Sequence, residues 1–154
     1  MKFFILSICF LVTSFSFFQS SFSNEDAKQI VDTFFEGFHK GDTILMQSVI
    51  ANDVIMQRVY ANKDGENMLN TDAIEVLIST IANRPVDQKW DERLLDYQIT
   101  VDGNLAHVWT PYEFWFNDTF SHCGTNSFTI AKFNDGWKII HLIDSRRKSS
   151  LKKE

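Results

Sequence analysis

Four side chains in the C-terminal half are of types that could do chemistry together: Tyr112, His122, Asn126 and Asp144. A histidine whose unperturbed pKa is about 6.5 exchanges protons near neutral pH, which makes His122 the first candidate for acid-base work. Asp144 can orient an imidazole, so His122 and Asp144 form the candidate catalytic pair. Tyr112 can donate a proton or a hydrogen bond and Asn126 can orient a carbonyl or hydroxyl, so these two, with His122, form the candidate ligand-binding set. The same groups could simply satisfy one another and nearby backbone in a core. Catalysis, binding without turnover and structure therefore all remain open, and no cofactor is implied.

Metal chemistry is not expected. His39, His107, His122 and His141 lack the spacing of zinc ligands, and His122 and Cys123, as neighbours on a strand, point to opposite faces. Cys123 then falls on the outer side, where it reads as a small buried residue rather than a nucleophile.

Residues two apart on a strand share a face. Phe120, His122, Gly124, Asn126, Phe128 and Ile130 form one set, and its large apolar members send it inward, carrying His122 and Asn126 with it. Gly124, between them, leaves room for a ligand to approach. On the preceding strand Ala106, Val108, Thr110, Tyr112, Phe114 and Phe116 face in, while His107, Trp109, Glu113 and Trp115 face out. Two outward tryptophans above small residues predict a sheet-to-sheet homodimer. Pro111 marks a bulge or bend where the alternation could slip by one residue. On the last strand, Trp137, Ile139, His141 and Ile143 oppose Lys138, Ile140, Leu142 and Asp144, and both sets are apolar enough that neither face is preferred.

The elements that carry these strands follow from periodicity. Ala27, Ile30, Val31, Phe34, Phe35 and Phe38 recur at helical steps, with Asn24 as the cap and Gly41 as the stop. A shorter helix from Asp42 carries Leu45, Met46 and Val49. Val54 to Tyr60 reads as a strand closed by the turn Asn62-Lys63-Asp64-Gly65. A third helix presents Ile74, Leu77, Ile78, Ile81 and Ala82, and ends at Arg84-Pro85. From Trp90 the period becomes that of a strand, with Leu95, Tyr97, Ile99 and Val101 on one side. The turns Asp102-Gly103-Asn104, Asn117-Asp118 and Asn134-Asp135-Gly136 then separate three long strands, Leu105 to Phe116, Thr119 to Phe133 and Trp137 to Ser145. Helices first and sheet last define an α+β domain, N-terminal helices packed on a curved C-terminal antiparallel sheet.

The chain opens on Lys2 and an uncharged run from Phe3 to Phe18, followed by small and polar residues. This predicts a signal peptide over residues 1–23, cut after Ser23, and a secreted or periplasmic protein with no membrane contact after cleavage. The domain then spans 24–148 and a basic disordered tail 149–154. Only Cys123 survives cleavage, so no internal disulfide is available. The formal net charge of -5 argues against nucleic acid as the main partner and leaves an unknown small molecule as the expected one.

The element order, with Asp135-Gly136-Trp137-Lys138-Ile139 opening the last strand, resembles the nuclear transport factor 2-like (SnoaL-like) superfamily. The words Asp91-Glu92-Arg93, Val108-Trp109-Thr110-Pro111-Tyr112, Ser121-His122-Cys123-Gly124-Thr125-Asn126-Ser127-Phe128 and Asp144-Ser145-Arg146-Arg147 are similar to those of its putative lumazine-binding branch. The resemblance implies a cone-shaped fold whose sheet curls around a helix to leave an internal pocket, with subunits often paired through the sheet's outer face. It does not choose a function, since the superfamily holds isomerases, dehydratases, hydrolases and non-enzymatic binding proteins.

Overall fold

The computed structural model describes residues 21–147. Most of the expected leader (residues 1–20) and the expected tail (149–154) lie outside the described residues. The chain runs α1 (Asn24–Lys40), α2 (Thr43–Ser48), β1 (Ile50–Ala61), β2 (Asn67–Asp72), α3 (Ile74–Ala82), β3 (Trp90–Leu94), β4 (Gln98–Asp102), β5 (Leu105–Phe116), β6 (Thr119–Phe133) and β7 (Gly136–Arg147). The strands form one curved, seven-stranded sheet in the order β2-β1-β7-β6-β5-β3, with β4 beside β3 on the same edge of β5. It is antiparallel except between β1 and β7, which run parallel.

Ser23, not Asn24, caps α1: its hydroxyl accepts from the Asp26 amide, and Asp26 accepts from the Ser23 backbone in a capping box. Just ahead of it, Phe22 stacks on Trp137 with ring centroids 3.8 Å apart. A cut after Ser23 would remove both contacts, so the structured domain begins ahead of the expected cleavage point. Gly41, at φ 73°, ends α1 in the left-handed conformation that glycine adopts without strain. Arg84 donates to the carbonyls of Phe38 and His39 in the last turn, at 3.1 and 2.8 Å.

The α1 stripe packs on the inner sheet face. Phe34 and Phe35 meet Phe128 edge-on, and Val31, Val108, Phe128 and Ile130 have no exposed surface. Burying each such side chain is worth roughly 1.5 to 3 kcal/mol, which fixes which face of β5 and β6 turns inward. Ile81 of α3 joins this core, and Met46 of α2 sits fully buried beside it.

The sheet departs from simple alternation between β3 and β4 and at bulges in the β5–β6 and β6–β7 ladders. β3 and β4 are separate strands: Trp90 and Leu94 pack on the core, as do Tyr97, Ile99 and Val101, whereas Leu95 is half exposed. The inward parity therefore switches across 95–97. Pro111 causes no slip. Its carbonyl accepts from the Leu95 amide, so its missing N–H faces the gap between β3 and β4 and costs the β5–β6 ladder nothing.

The β5–β6 bulge lies instead where Phe114 pairs with His122 but Trp115 pairs with Phe120. Ser121 is the extra residue, and Phe120 turns outward to meet Trp115 edge-on. A second bulge, between Thr129 and Ile130, leaves Ile140 of β7 unpaired. Ile139 thus opposes Ile130, while Leu142 opposes Phe128 and Asp144 opposes Asn126, all on the inner face. The last strand changes face midway, which is why neither of its two alternating sets was the more apolar.

Candidate functional site

The inward faces of β5, β6 and β7 bring Tyr112, His122, Asn126 and Asp144 to one cavity of about 100 Å³, closed on the helix side by Phe34, Phe35 and Phe38. Two residues complete its chemistry that alternation had not singled out, Glu92 of β3 and Arg58 of β1. Glu92 lies between Trp90 and Leu94 on the inward parity of β3, opposite Phe114. Arg58 reaches the site because β1 pairs in parallel with β7, which places it beside Asp144.

These groups form two separate units. In the first, Arg58 donates through Nε to both Asp144 oxygens, at 2.9 and 3.3 Å, and the Tyr112 hydroxyl donates to Asp144 Oδ2 at 3.1 Å. Desolvation raises the Asp144 carboxyl, and Arg58 and Tyr112 pull it back. Tyr112 is raised above the ordinary phenol range, first by desolvation and then by the charges of Asp144 and Glu92, so it stays a donor.

In the second unit, Asn126 Nδ2 donates to Glu92 Oε1 at 2.7 Å. Desolvation pushes Glu92 up to about 8, with only the bond from Asn126 and more distant arginine charges opposing it. Its backbone is held from the other side, where the amide donates to His39 Nε2 at 3.0 Å. Glu92 therefore enters the neutral pH range carrying a proton, poised between donor and acceptor.

His122 adjoins both units and is bonded to neither. Its Nδ1 is 3.1 Å from Ser121 Oγ, and its ring lies 4.9 Å from that of Phe114. Desolvation, followed by the charges of Arg146 and Arg58, pushes it down to about 4. The imidazole is accordingly neutral at pH 7, and the titration near 6.5 expected from its type does not apply in this site. Asp144, engaged by Arg58 and Tyr112, does not orient it.

Gly124 also plays a different part. A Cβ there would come 2.1 Å from the Ser145 carbonyl and 2.6 Å from the Tyr112 ring. The space beside it is filled by Tyr112, so the glycine seats that ring against the strand instead of admitting a ligand. No buried side-chain nitrogen or oxygen among the described residues is left without a hydrogen-bond partner. Among those residues, too, no group of three or more His, Cys, Asp or Glu could hold a metal ion, and no helix is long and apolar enough to cross a membrane.

The family model described as "Putative lumazine-binding" matches residues 23–142. The chain belongs to this family. Its fold is shared by solved structures of nuclear transport factor 2-like proteins. A nuclear transport factor 2-like protein from Cytophaga hutchinsonii is similar at a TM-score of 0.62 and 12% identity, over 80% of this chain and 97% of that one. A superfamily protein from Salmonella enterica serovar Typhimurium matches at 0.60 and 16%, over 85% and 96%. A putative dehydratase of the same superfamily from Streptomyces avermitilis matches at 0.60 and 16%, over 82% and 96%. At these identities the likeness is one of fold. No curated protein sequence matches the chain.

Proposed function

We propose that this family member is an exported protein that binds a small polar molecule, without a cofactor, in the cavity between α1 and the sheet. The observation that carries this reading is the Asn126–Glu92 pair on the cavity wall, an amide and a protonated carboxyl that together offer both donors and acceptors. Native mass spectrometry of protein purified from its own source should show a co-purifying small molecule. Asn126→Ala should weaken its retention while leaving the fold intact. Retention unchanged in Asn126→Ala and in His122→Ala would refute the cavity as its site.

Export rests on the uncharged, phenylalanine-rich leader. Because Phe22 stacks on Trp137 and Ser23 caps α1, the mature N-terminus should lie ahead of Phe22, and N-terminal sequencing of the exported protein reads it directly. Intact Met1 on soluble cytoplasmic protein would overturn export.

Pairing of two copies through the outer sheet face is supported by Trp109, Ile55 and Leu69, exposed there at 42%, 51% and 59%. Trp115 contributes less, since Arg93 stacks on its ring at 4.3 Å and Phe120 covers its edge. Trp109→Glu should convert a dimer to a monomer in sedimentation, and a wild type already monomeric at micromolar concentration would exclude the pairing.

A second reading, cofactor-free acid-base catalysis such as isomerisation, dehydration or hydrolysis, draws on one feature. Glu92 and His122 are shifted in opposite directions within one cavity, so at neutral pH the carboxyl holds a proton to give and the imidazole has a ring nitrogen free to take one. Turnover of the co-purifying molecule that disappears in Glu92→Gln would select this reading over binding alone.

A further inference from the structure

Beside the cavity lies a much wider recess, of about 940 Å³, whose wall includes Arg58, Lys63, Arg146 and Arg147 together with Asn62 and Asn70. Arg58 lines both spaces, so the two adjoin at its side chain. Arg146 follows Asp144 by two residues on β7 and pairs with Gly124, which puts it on the inner parity at the mouth. Among the described residues, Arg58 is the only one of these four cations in an ion pair, with Asp144. Arg146, Arg147 and Lys63 are exposed and have none.

Scattered surface cations are ordinary. Four at one opening, in a chain of net charge -5, are a local reversal of sign. A recess lined by one sign of charge focuses the field and attracts counter-ions. That field reaches inward, since Arg146 acts on His122, Glu92 and Asp144. Guanidinium forks match the planar oxygens of a carboxylate or phosphate, whereas the Asn62 and Asn70 amides beside them already donate to Glu66 and Asp72.

The inner chamber has the opposite character. Its room of about 100 Å³ takes only a few heavy atoms, against walls whose only cation is already paired with Asp144. We infer that the ligand is a small organic oxyanion, a carboxylate or phosphate ester, held by its acidic end at the Arg146 mouth and by an uncharged hydroxyl or carbonyl end on Asn126 and Glu92. This rests on the cavity being the binding site, as proposed above, and adds the ligand's charge and orientation.

The test compares matched pairs: lactate with lactamide, para-hydroxybenzoate with para-hydroxybenzamide, and phenyl phosphate with phenol. Each is titrated into the purified protein while backbone amide resonances of Asn126, Glu92 and Arg146 are followed. The anion of at least one pair should bind about tenfold more tightly than its neutral partner and shift both the mouth and the chamber. Arg146→Gln should abolish that preference, and added salt should weaken the anion alone. Whether the carboxylates or the phosphate bind tells which acid group the mouth takes. Neutral partners binding as well as the acids, with shifts at Asn126 and Glu92, would overturn the inference and leave the cavity reading standing. Shifts confined to Arg146 would reduce the mouth to a surface patch and overturn the two-ended ligand. No shift at any of the three residues from any compound at millimolar concentration would overturn the cavity reading with it.

Discussion

Two of the carboxylates that line the cavity, Asp144 and Glu92, are built to do different things. Asp144 has a guanidinium and a phenol on its two oxygens, whereas Glu92 has a single neutral amide. Desolvation raises both, but only for Glu92 does it prevail as far as about 8. The difference teaches that burial alone does not set a carboxyl's state; the charge of the partner does. Asp144 anchors three strands through Arg58 of β1 and Tyr112 of β5, and Glu92 is left as the group able to exchange a proton with a bound molecule.

The comparison breaks most completely if Tyr112 is dislodged from the first unit. Gly124→Ala places a methyl 2.1 Å from the Ser145 carbonyl and 2.6 Å from the Tyr112 ring, and the nearer obstacle is backbone. Overpacking of this kind costs about 3 kcal/mol or more. Urea unfolding should show the loss, and a variant of wild-type stability would mean that β6 and β7 separate freely there.

Removing the cation instead should cost somewhat less. Arg58→Leu leaves Asp144, whose side chain is only 13% exposed, without its counter-charge, but the Arg58 side chain is itself 43% exposed and solvent already screens the pair. A loss of about 2 kcal/mol is expected at pH 7, shrinking as acid protonates Asp144. A loss that stays constant down to pH 3 would assign Arg58 a packing role, not an electrostatic one.

How much of this was legible depended on the regularity of each ladder. Between Leu105 and Phe114, β5 pairs with β6 without interruption, so counting by twos places Tyr112, Gly124, Asn126 and His122 correctly. One bulge further on, the same count sends Phe120 to the wrong face, and at Ile140 it divides β7 into two half-strands of opposite parity. A bulge of one residue leaves no mark on composition, so the inward turn of Asp144 was beyond reach. Glu92 was within reach: a carboxylate between Trp90 and Leu94 at two-residue steps shares their buried side. Arg58 depended on the parallel pairing of β1 with β7, a contact between strands far apart in the chain that local pattern cannot supply. The pKa of His122 was illegible for a related reason, since it is set by desolvation and by arginines on two other strands.

The smallest expected effect separates the second unit from the first by its pH dependence. Glu92 moves from an ordinary 4.5 to about 8 on folding, so between those values the folded protein holds more protons than the unfolded chain and stability falls as pH rises. His122 moves from 6.5 to about 4, so there the unfolded chain holds more protons and stability rises with pH. The two oppose each other below 6.5. Above it only the Glu92 contribution remains, and the wild type should lose roughly 1 to 2 kcal/mol between pH 6.5 and 8. Glu92→Gln keeps a side-chain oxygen for the Asn126 amide and removes the titration, so its stability should stay level over that interval. Below 6.5 the variant should rise more steeply with pH than the wild type, because His122 then acts unopposed. Asp144 is common to both proteins and cancels in the comparison. Urea midpoints at pH 5, 6.5 and 8 measure all of this, and an equal fall above pH 6.5 in both proteins would show that Glu92 is ionised in the folded state and that its partner is stronger than Asn126 alone.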